Sequence, residues 1–357
     1  MNPEILHLYA WDVAFEVPLE TIRAQISQAG DGILMPRKGT PRDPAPRRYL
    51  HLPLGEVGSG EFRAEASANL YSFGVICITL RHRAQGRTLA DFVPHHAPPG
   101  VPLDALARGA LDGVLSRIAA HLRRPRISPE NPEAWTVFRF EAAELQITDA
   151  TEWMNNHRRE VAGLLTGEAD PGRLSDQEVD ETLRQTFSYY RDDLAVIDWE
   201  SALVVDPGPA EDVLRVFELA NLQLVEYRHY DAELDRVVSR AYEDLSQARG
   251  PRLFFGGGDR LRSLRELRLS VADVADEIEN ATKFLGDWHL ARVYMGCAAR
   301  FHLPEWKAAV EEKLKTIDEL YNLAASESSN RKMLLLEAMI VVLFILDLLA
   351  LFLASSK

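Results

Sequence analysis

The chain has 357 residues, 46% of them hydrophobic and 26% charged, with a formal net charge of −14. This is globular composition with enough apolar residues for a sizeable core. The acidic balance repels phosphate backbones and speaks against broad nucleic-acid binding, and two cysteines, Cys77 and Cys297, are too few for a disulfide framework or a structural zinc site.

The charge is unevenly spread. Residues 1–150 carry 16 Lys+Arg against 17 Asp+Glu, and the remainder 24 against 37. The first twenty residues hold four acids and no Lys or Arg, which argues against a secretory signal or a basic presequence and for a bacterial cytoplasm. The pattern predicts an α+β protein. A mixed α/β domain occupies 1–208, a long antiparallel helical hairpin 209–330, and one C-terminal transmembrane helix 331–357.

In chain order, residues 5–17 carry Leu, Tyr, Trp and Phe and read as strand, and 19–27 as a short helix. Residues 36–48, rich in Pro and Arg, are a loop. The run YSFGVICITL (71–80) is a strand buried on both faces. A loop over 94–102 precedes a helix over 103–122, and the prolines of 125–132 break the chain again. Residues 135–147 and 195–205 read as two further strands, the second ended by Asp206-Pro207-Gly208-Pro209.

Beyond Pro209, Val213, Phe217, Ala220, Leu224, Tyr227, Asp231, Leu234, Val238, Ala241 and Leu245 follow 4–3 spacing. After a Gly256-Gly257-Gly258 turn, a second seam runs through Leu264, Leu267, Val271, Val274, Ile278, Ala281, Leu285 and Trp288. Two such seams joined by a glycine turn predict a helical hairpin or coiled coil, with Leu224, Leu234, Val238, Leu267, Val274 and Ile278 at its interface or in an oligomer. Pro304 starts a third helix. From Met333 to Ala354 only Glu337 and Asp347 are charged, and Arg331 and Lys332 precede the run. Its length as a helix, about 33 Å, matches a bilayer core of about 30 Å. A single-pass anchor follows, with Arg331 and Lys332 as its flank and the large domain in the cytoplasm. Glu337 and Asp347 are its polar contacts, either interfacial acids or groups that pair between helices.

No local motif announces chemistry. The glycine run ends in Asp259 where a Walker loop needs Gly-Lys-Ser/Thr, so it reads as a turn. The ten histidines are scattered, with His95-His96 in a Pro-rich loop, and HExxH, CxxC and GxSxG are all missing. Arg260, Arg262, Arg265 and Arg268 read as helix-flanking charge rather than an RNA or lipid contact. No catalytic, cofactor or metal residue is assigned.

Four segments carry a resemblance to a known family. LYAWDV (8–13), SFGVICI (72–78), DLAVIDWESALVVD (193–206) with the long helix after it, and the terminal Leu336-Glu337 run with Asp347 together resemble the YagE-like, required-for-meiotic-nuclear-division family. That resemblance implies a membrane-anchored, self-associating protein with no established activity, some of whose relatives support organelle translation. The expected function is therefore a membrane-tethered homo-oligomeric scaffold or adaptor, with translation machinery as a candidate partner. The alternatives are an enzyme with a membrane-proximal or small-molecule substrate, and an ion pathway of oligomerised anchors lined by Asp347.

Overall fold

The computed structural model describes residues 1–28, 49–125, 132–246 and 288–319, with five helical positions between 333 and 343. Contacts divide the chain into two units, Met1–His229 with Asp273–Trp306 and Tyr230–Ala272 with Lys307–Lys357.

The first unit is built on one large sheet. Its strands are β1 (Glu4–Asp12), β3 (Tyr49–Ser59), β4 (Phe62–Tyr71), β5 (Val75–Arg83), β7 (Glu133–Glu141), β8 (Gln185–Phe187), β9 (Leu194–Ile197) and β10 (Ser201–Asp206), while β2 (Ala14–Glu16) and β6 (Arg123–Pro125) form a separate ribbon. The order is β3-β4-β5-β1-β7-β10-β9-β8, antiparallel throughout except for the parallel pair β7/β10. A parallel pair needs a long crossover. Residues 142–200 supply it, with α3 (Ala150–Thr166) and α4 (Asp176–Thr182). Asp149 caps α3 by accepting from Thr151 N at 3.0 Å and Glu152 N at 3.1 Å, and Gly167, at φ 74°, ends it.

β1 is central and buried along almost its whole length, so its residues divide between two cores by alternation. On one face two clusters lie side by side. Ile5, Phe138, Phe140, Leu203 and Val196 pack under α3 and a 3-10 segment (Leu89–His96) held by Phe92. Tyr9, Trp11, Ile76, Ile78 and Leu80 pack under α1 (Leu19–Gln28) and α2 (Leu103–Ile118). The opposite face is covered by the part of α5 (Glu211–Ser246) that lies in this unit, up to His229, and by α6 (Trp288–Arg300), where Trp135 meets Phe217 at 4.9 Å and Phe301 at 5.2 Å.

Several expectations change. The strand over 71–80 begins only at Val75, because Gly74, at φ 102°, turns the chain, and a Cβ there would lie 1.8 Å from Ala14 O. Residues 195–205 form two strands rather than one, with Asp198-Trp199-Glu200 at the turn. The hairpin is also corrected. The apolar stripe of α5 in the first unit, Phe217, Ala220 and Leu224, is buried, and α5 packs on the sheet: Phe217 meets Trp135 and Asn221 bonds Glu133 O. The second seam, including Leu267, Val274 and Ile278, lies outside the described residues.

In the second unit Leu234 is buried and Val238 half-buried on the later part of α5. From Lys307 the unit also holds the later part of a helix over 303–319, where Lys313 Nζ lies 2.7 Å from Asp231 and 2.6 Å from Asp235. Asp231, the one polar position of the predicted seam, is thus an ion-pair partner.

Among the described residues no helix is long and apolar enough to cross a membrane. The transmembrane helix, the membrane as a partner and the single-pass location are withdrawn on that finding. Met333, Glu337, Met339, Ile340 and Leu343 are helical and exposed. Arg331, Lys332 and Asp347 lie outside the described residues.

Candidate functional site

A polar row crosses the first face between its two apolar clusters. His7 on β1 stands opposite Thr136 on β7, which stands opposite Ser201 on β10. All three are buried. Pairing along the strands puts Ile5, Phe138 and Leu203 in the next row on one side and Tyr9 on the other. His7 Nδ1 lies 3.2 Å from Thr136 Oγ1, and Ser201 Oγ donates to Leu165 O at 2.8 Å.

Three more imidazoles gather over this row. His82, near the end of β5, stacks on His7 with centroids 5.3 Å apart and planes at 9°. Its Nε2 is 3.3 Å from His95 Nδ1, and Phe62 closes on it edge-on at 4.8 Å. His96 Nε2 donates to Leu164 O at 2.6 Å and rests against Phe138. The 3-10 segment places His95 and His96 because Leu89, Phe92 and Val93 bury its apolar side. Asp91 fixes its start by accepting from the backbone N–H of Arg87 and Thr88.

These rings are neutral at pH 7. Burial holds His7 down to about 3, with the His82, His96 and His95 rings adding to the effect. Burial, then His95, holds His82 down to about 4. Burial also lowers His95 and His96. A neutral imidazole carries one donor and one acceptor nitrogen. His7 Nε2 and His82 Nδ1 are buried with no hydrogen-bond partner among the described residues. Beside them, burial and the Asp104 carboxylate push the Tyr9 hydroxyl up, the two side chains being hydrogen-bonded. Among the described residues no group of three or more His, Cys, Asp or Glu is arranged to hold a metal ion.

A second polar centre lies on the opposite face. Asn69 Nδ2 donates to both carboxylate oxygens of Glu218, at 2.8 and 2.9 Å, and His51 Nδ1 lies 2.7 Å from Asn69 Oδ1. Burial raises the Glu218 carboxyl against the lowering bonds from Asn69, Tyr71 and Cys77. Burial, then Glu218, lifts the Cys77 thiol, and burial lifts that of Cys297, so both cysteines are core groups rather than nucleophiles.

Of the residues singled out from sequence, Leu224 is a buried α5 residue of the first unit, and Leu234 and Val238 belong to the second unit. The described residues bring none of them to the histidine row. His7, His82 and Thr136 were not legible as a set. The one signal was His7 itself, a polar residue at a core-facing position of an alternating strand.

Residues 2–211 match the family model described as the N-terminal domain of uncharacterized protein MJ0711. The chain belongs to that family. The match covers the sheet and the histidine row entire. It overturns the YagE-like resemblance, three of whose four segments fall on apolar strands of a kind that many sheets share. Similar to this chain is uncharacterized protein MJ0711 of Methanocaldococcus jannaschii, 24% identical over 220 residues, which are 60% of this chain and 65% of that relative. The chain thus spans about two thirds of the length of the curated relative it matches. That relative is archaeal, which corrects the bacterial assignment. No solved structure matches the chain.

Proposed function

We propose that the first unit binds a small polar molecule against the histidine row and exchanges a proton with it through His95 and His82. One observation carries this reading: the buried ring nitrogens His7 Nε2 and His82 Nδ1 have no partner among the described residues. Each unsatisfied buried polar atom costs about 1–3 kcal/mol, which an aromatic hydrocarbon at the same position would avoid.

The His82–His95 contact supplies a proton path. With the hydrogen on His95 Nδ1 donated to His82 Nε2, the other nitrogen of His95 is a base and His82 Nδ1 carries its ring's proton. A proton taken by His95 can be answered by moving its Nδ1 proton to His82. Low basicity of both rings favours their return to neutrality. The test is a thermal-shift screen of small carboxylic acids, amides and phosphate esters on wild type, His95→Gln and His82→Asn. The expected result is a compound that raises the wild-type melting temperature and neither variant's. Stabilisation that survives in both variants would refute the reading, as would a panel without effect.

A second reading, a homo-oligomeric scaffold without a membrane tether, rests on the β8 edge of the sheet. Tyr189, Tyr190, Trp288 and Met295 are 54–76% exposed there. Tyr189 approaches His289 at 5.3 Å, and the Arg292 guanidinium lies 5.9 Å from the Phe187 ring centre on β8. Tyr, Trp, Met and Arg are the residues that interfaces favour. Sedimentation velocity on wild type and Tyr190→Asp tests it: a dimer reduced to monomer supports the reading, and a wild-type monomer at tens of micromolar removes it. Translation machinery as a partner rested on the overturned resemblance and has no separate support.

A further inference from the structure

The loop after β8 carries two tyrosines on a fixed backbone. Tyr189 N and Tyr190 N donate to the Asp193 carboxylate, at 2.6 and 2.9 Å, and Ser188 Oγ donates to Tyr190 O at 2.6 Å. The two rings stand at 90° with centroids 4.7 Å apart, and Tyr189 also leans on His289. These contacts leave their outer faces open: Tyr189 is 59% and Tyr190 65% exposed, and Trp288, next to His289 in the chain, is 76% exposed. Asp192 beside them makes no ion pair among the described residues.

Open aromatic faces that also carry hydrogen-bond donors suit a proline-rich segment. Proline holds φ near about −65°, so a P-x-x-P sequence is extended before it binds, and its carbonyls have no internal partner. Flat rings take the pyrrolidines, while tyrosine hydroxyls and an indole N–H donate to the carbonyls. An apolar helix satisfies its own backbone and would leave those donors unused.

The sequence contains one such segment. Residues 41–46 read Pro-Arg-Asp-Pro-Ala-Pro, within 36–48, which hold five Lys+Arg against one Asp in a chain of net charge −14. They lie outside the described residues. The segment leads into Tyr49, the first residue of β3, and β3 and β8 are the two edges of the sheet. Seven strand spacings of about 4.8 Å set those edges about 34 Å apart. Pro41 precedes Tyr49 by eight residues, at most about 29 Å of extended chain. The segment therefore falls short of the tyrosines of its own chain.

We infer that Tyr189, Tyr190 and Trp288 dock the 41–46 segment of a second copy of the chain, with Asp192 receiving one of its arginines. Two such contacts, made reciprocally, close a two-fold dimer. This rests on the oligomeric reading of the β8 edge and names what each copy contributes to it.

The test is sedimentation velocity on the full chain and two variants. Pro41→Ala/Pro44→Ala/Pro46→Ala keeps the patch and loses the ligand, and Tyr190→Asp keeps the ligand and loses the patch. The wild type should dimerise, and each variant alone should dissociate at least about tenfold more readily. Mixed together, the two variants should form a dimer of one copy each through the contact they still share, which also shows that both are folded. A peptide of residues 36–48 in excess should break the wild-type dimer, and its counterpart with alanine at 41, 44 and 46 should not. A wild-type monomer at tens of micromolar removes this inference along with the oligomeric reading. A wild-type dimer that ignores the peptide, or that loses nothing in the proline variant, overturns the docked segment and leaves the oligomeric reading standing. Monomeric variants that fail to complement each other overturn it in the same way.

Discussion

Lowering the pH from 8 to 5 should strip stability from the first unit through His7 and His82. Both folded-state values lie below the ordinary 6.5, at about 3 and about 4. The unfolded chain therefore binds more protons between pH 6.5 and these values. Stability is whole above 6.5 and is lost as the pH falls through that window. At pH 5, 1.5 units below 6.5, each ring costs about 2 kcal/mol at about 1.4 kcal/mol per unit. The pair together costs about 4 kcal/mol, a large part of the 5–15 kcal/mol typical of a domain. Urea unfolding followed by circular dichroism should show the midpoint dropping by more than about 1 M across this range. His7→Asn removes one of the two titrations and should flatten the slope by about half. Comparing variant with wild type cancels groups common to both, including Glu218, whose raised carboxyl acts with the opposite sign. A pH dependence identical in wild type and variant would refute the argument that His7 is buried neutral.

Other changes have equally definite outcomes. Glu218→Gln should raise the melting temperature at pH 8 and leave it little changed at pH 4, because a raised carboxyl costs stability as the pH climbs from the ordinary value through the folded one. Gly296→Ala should destabilise by about 1–3 kcal/mol in chemical denaturation, since the added Cβ would sit 2.3 Å from the Phe187 ring, and Phe187→Leu should recover part of the loss. Asp149→Ala should cost about 1 kcal/mol through the two N–H groups it leaves uncapped on α3, while Asp149→Ser should retain most of the stability.

Strand positions were legible where the side chains advertised them. EILHLYAWD and the Trp135–Phe140 run show both the period and the β-branched and aromatic content of strands, and both are strands here. The hairpin of β3 and β4 escaped notice because HLPLGEVGS and RAEASA are half exposed and carry Gly, Pro and charge. The helical seam failed for a different reason. A 4–3 apolar stripe says that one face of α5 is buried but not what buries it, and here a sheet does. The site was hidden because its parts are 75 to 129 residues apart. His7 meets His82 and Thr136 only through strand pairing, and no local spacing records that.

The place of β1 in the sheet bears on how the protein is made. β1, fourth in the sheet, leaves the ribosome before both of its neighbours, β5 and β7, which end at Arg83 and Glu141. At a synthesis rate of about 5–20 residues per second, β1 waits roughly 7–30 s for its second partner. During that time LHLYAW is a short, uncharged, aromatic-rich segment with both edges open. The contacts that end this exposure are long-range, which slows folding further. Nascent chains halted shortly after β5 should therefore engage chaperones strongly, and those halted well beyond β7 far less.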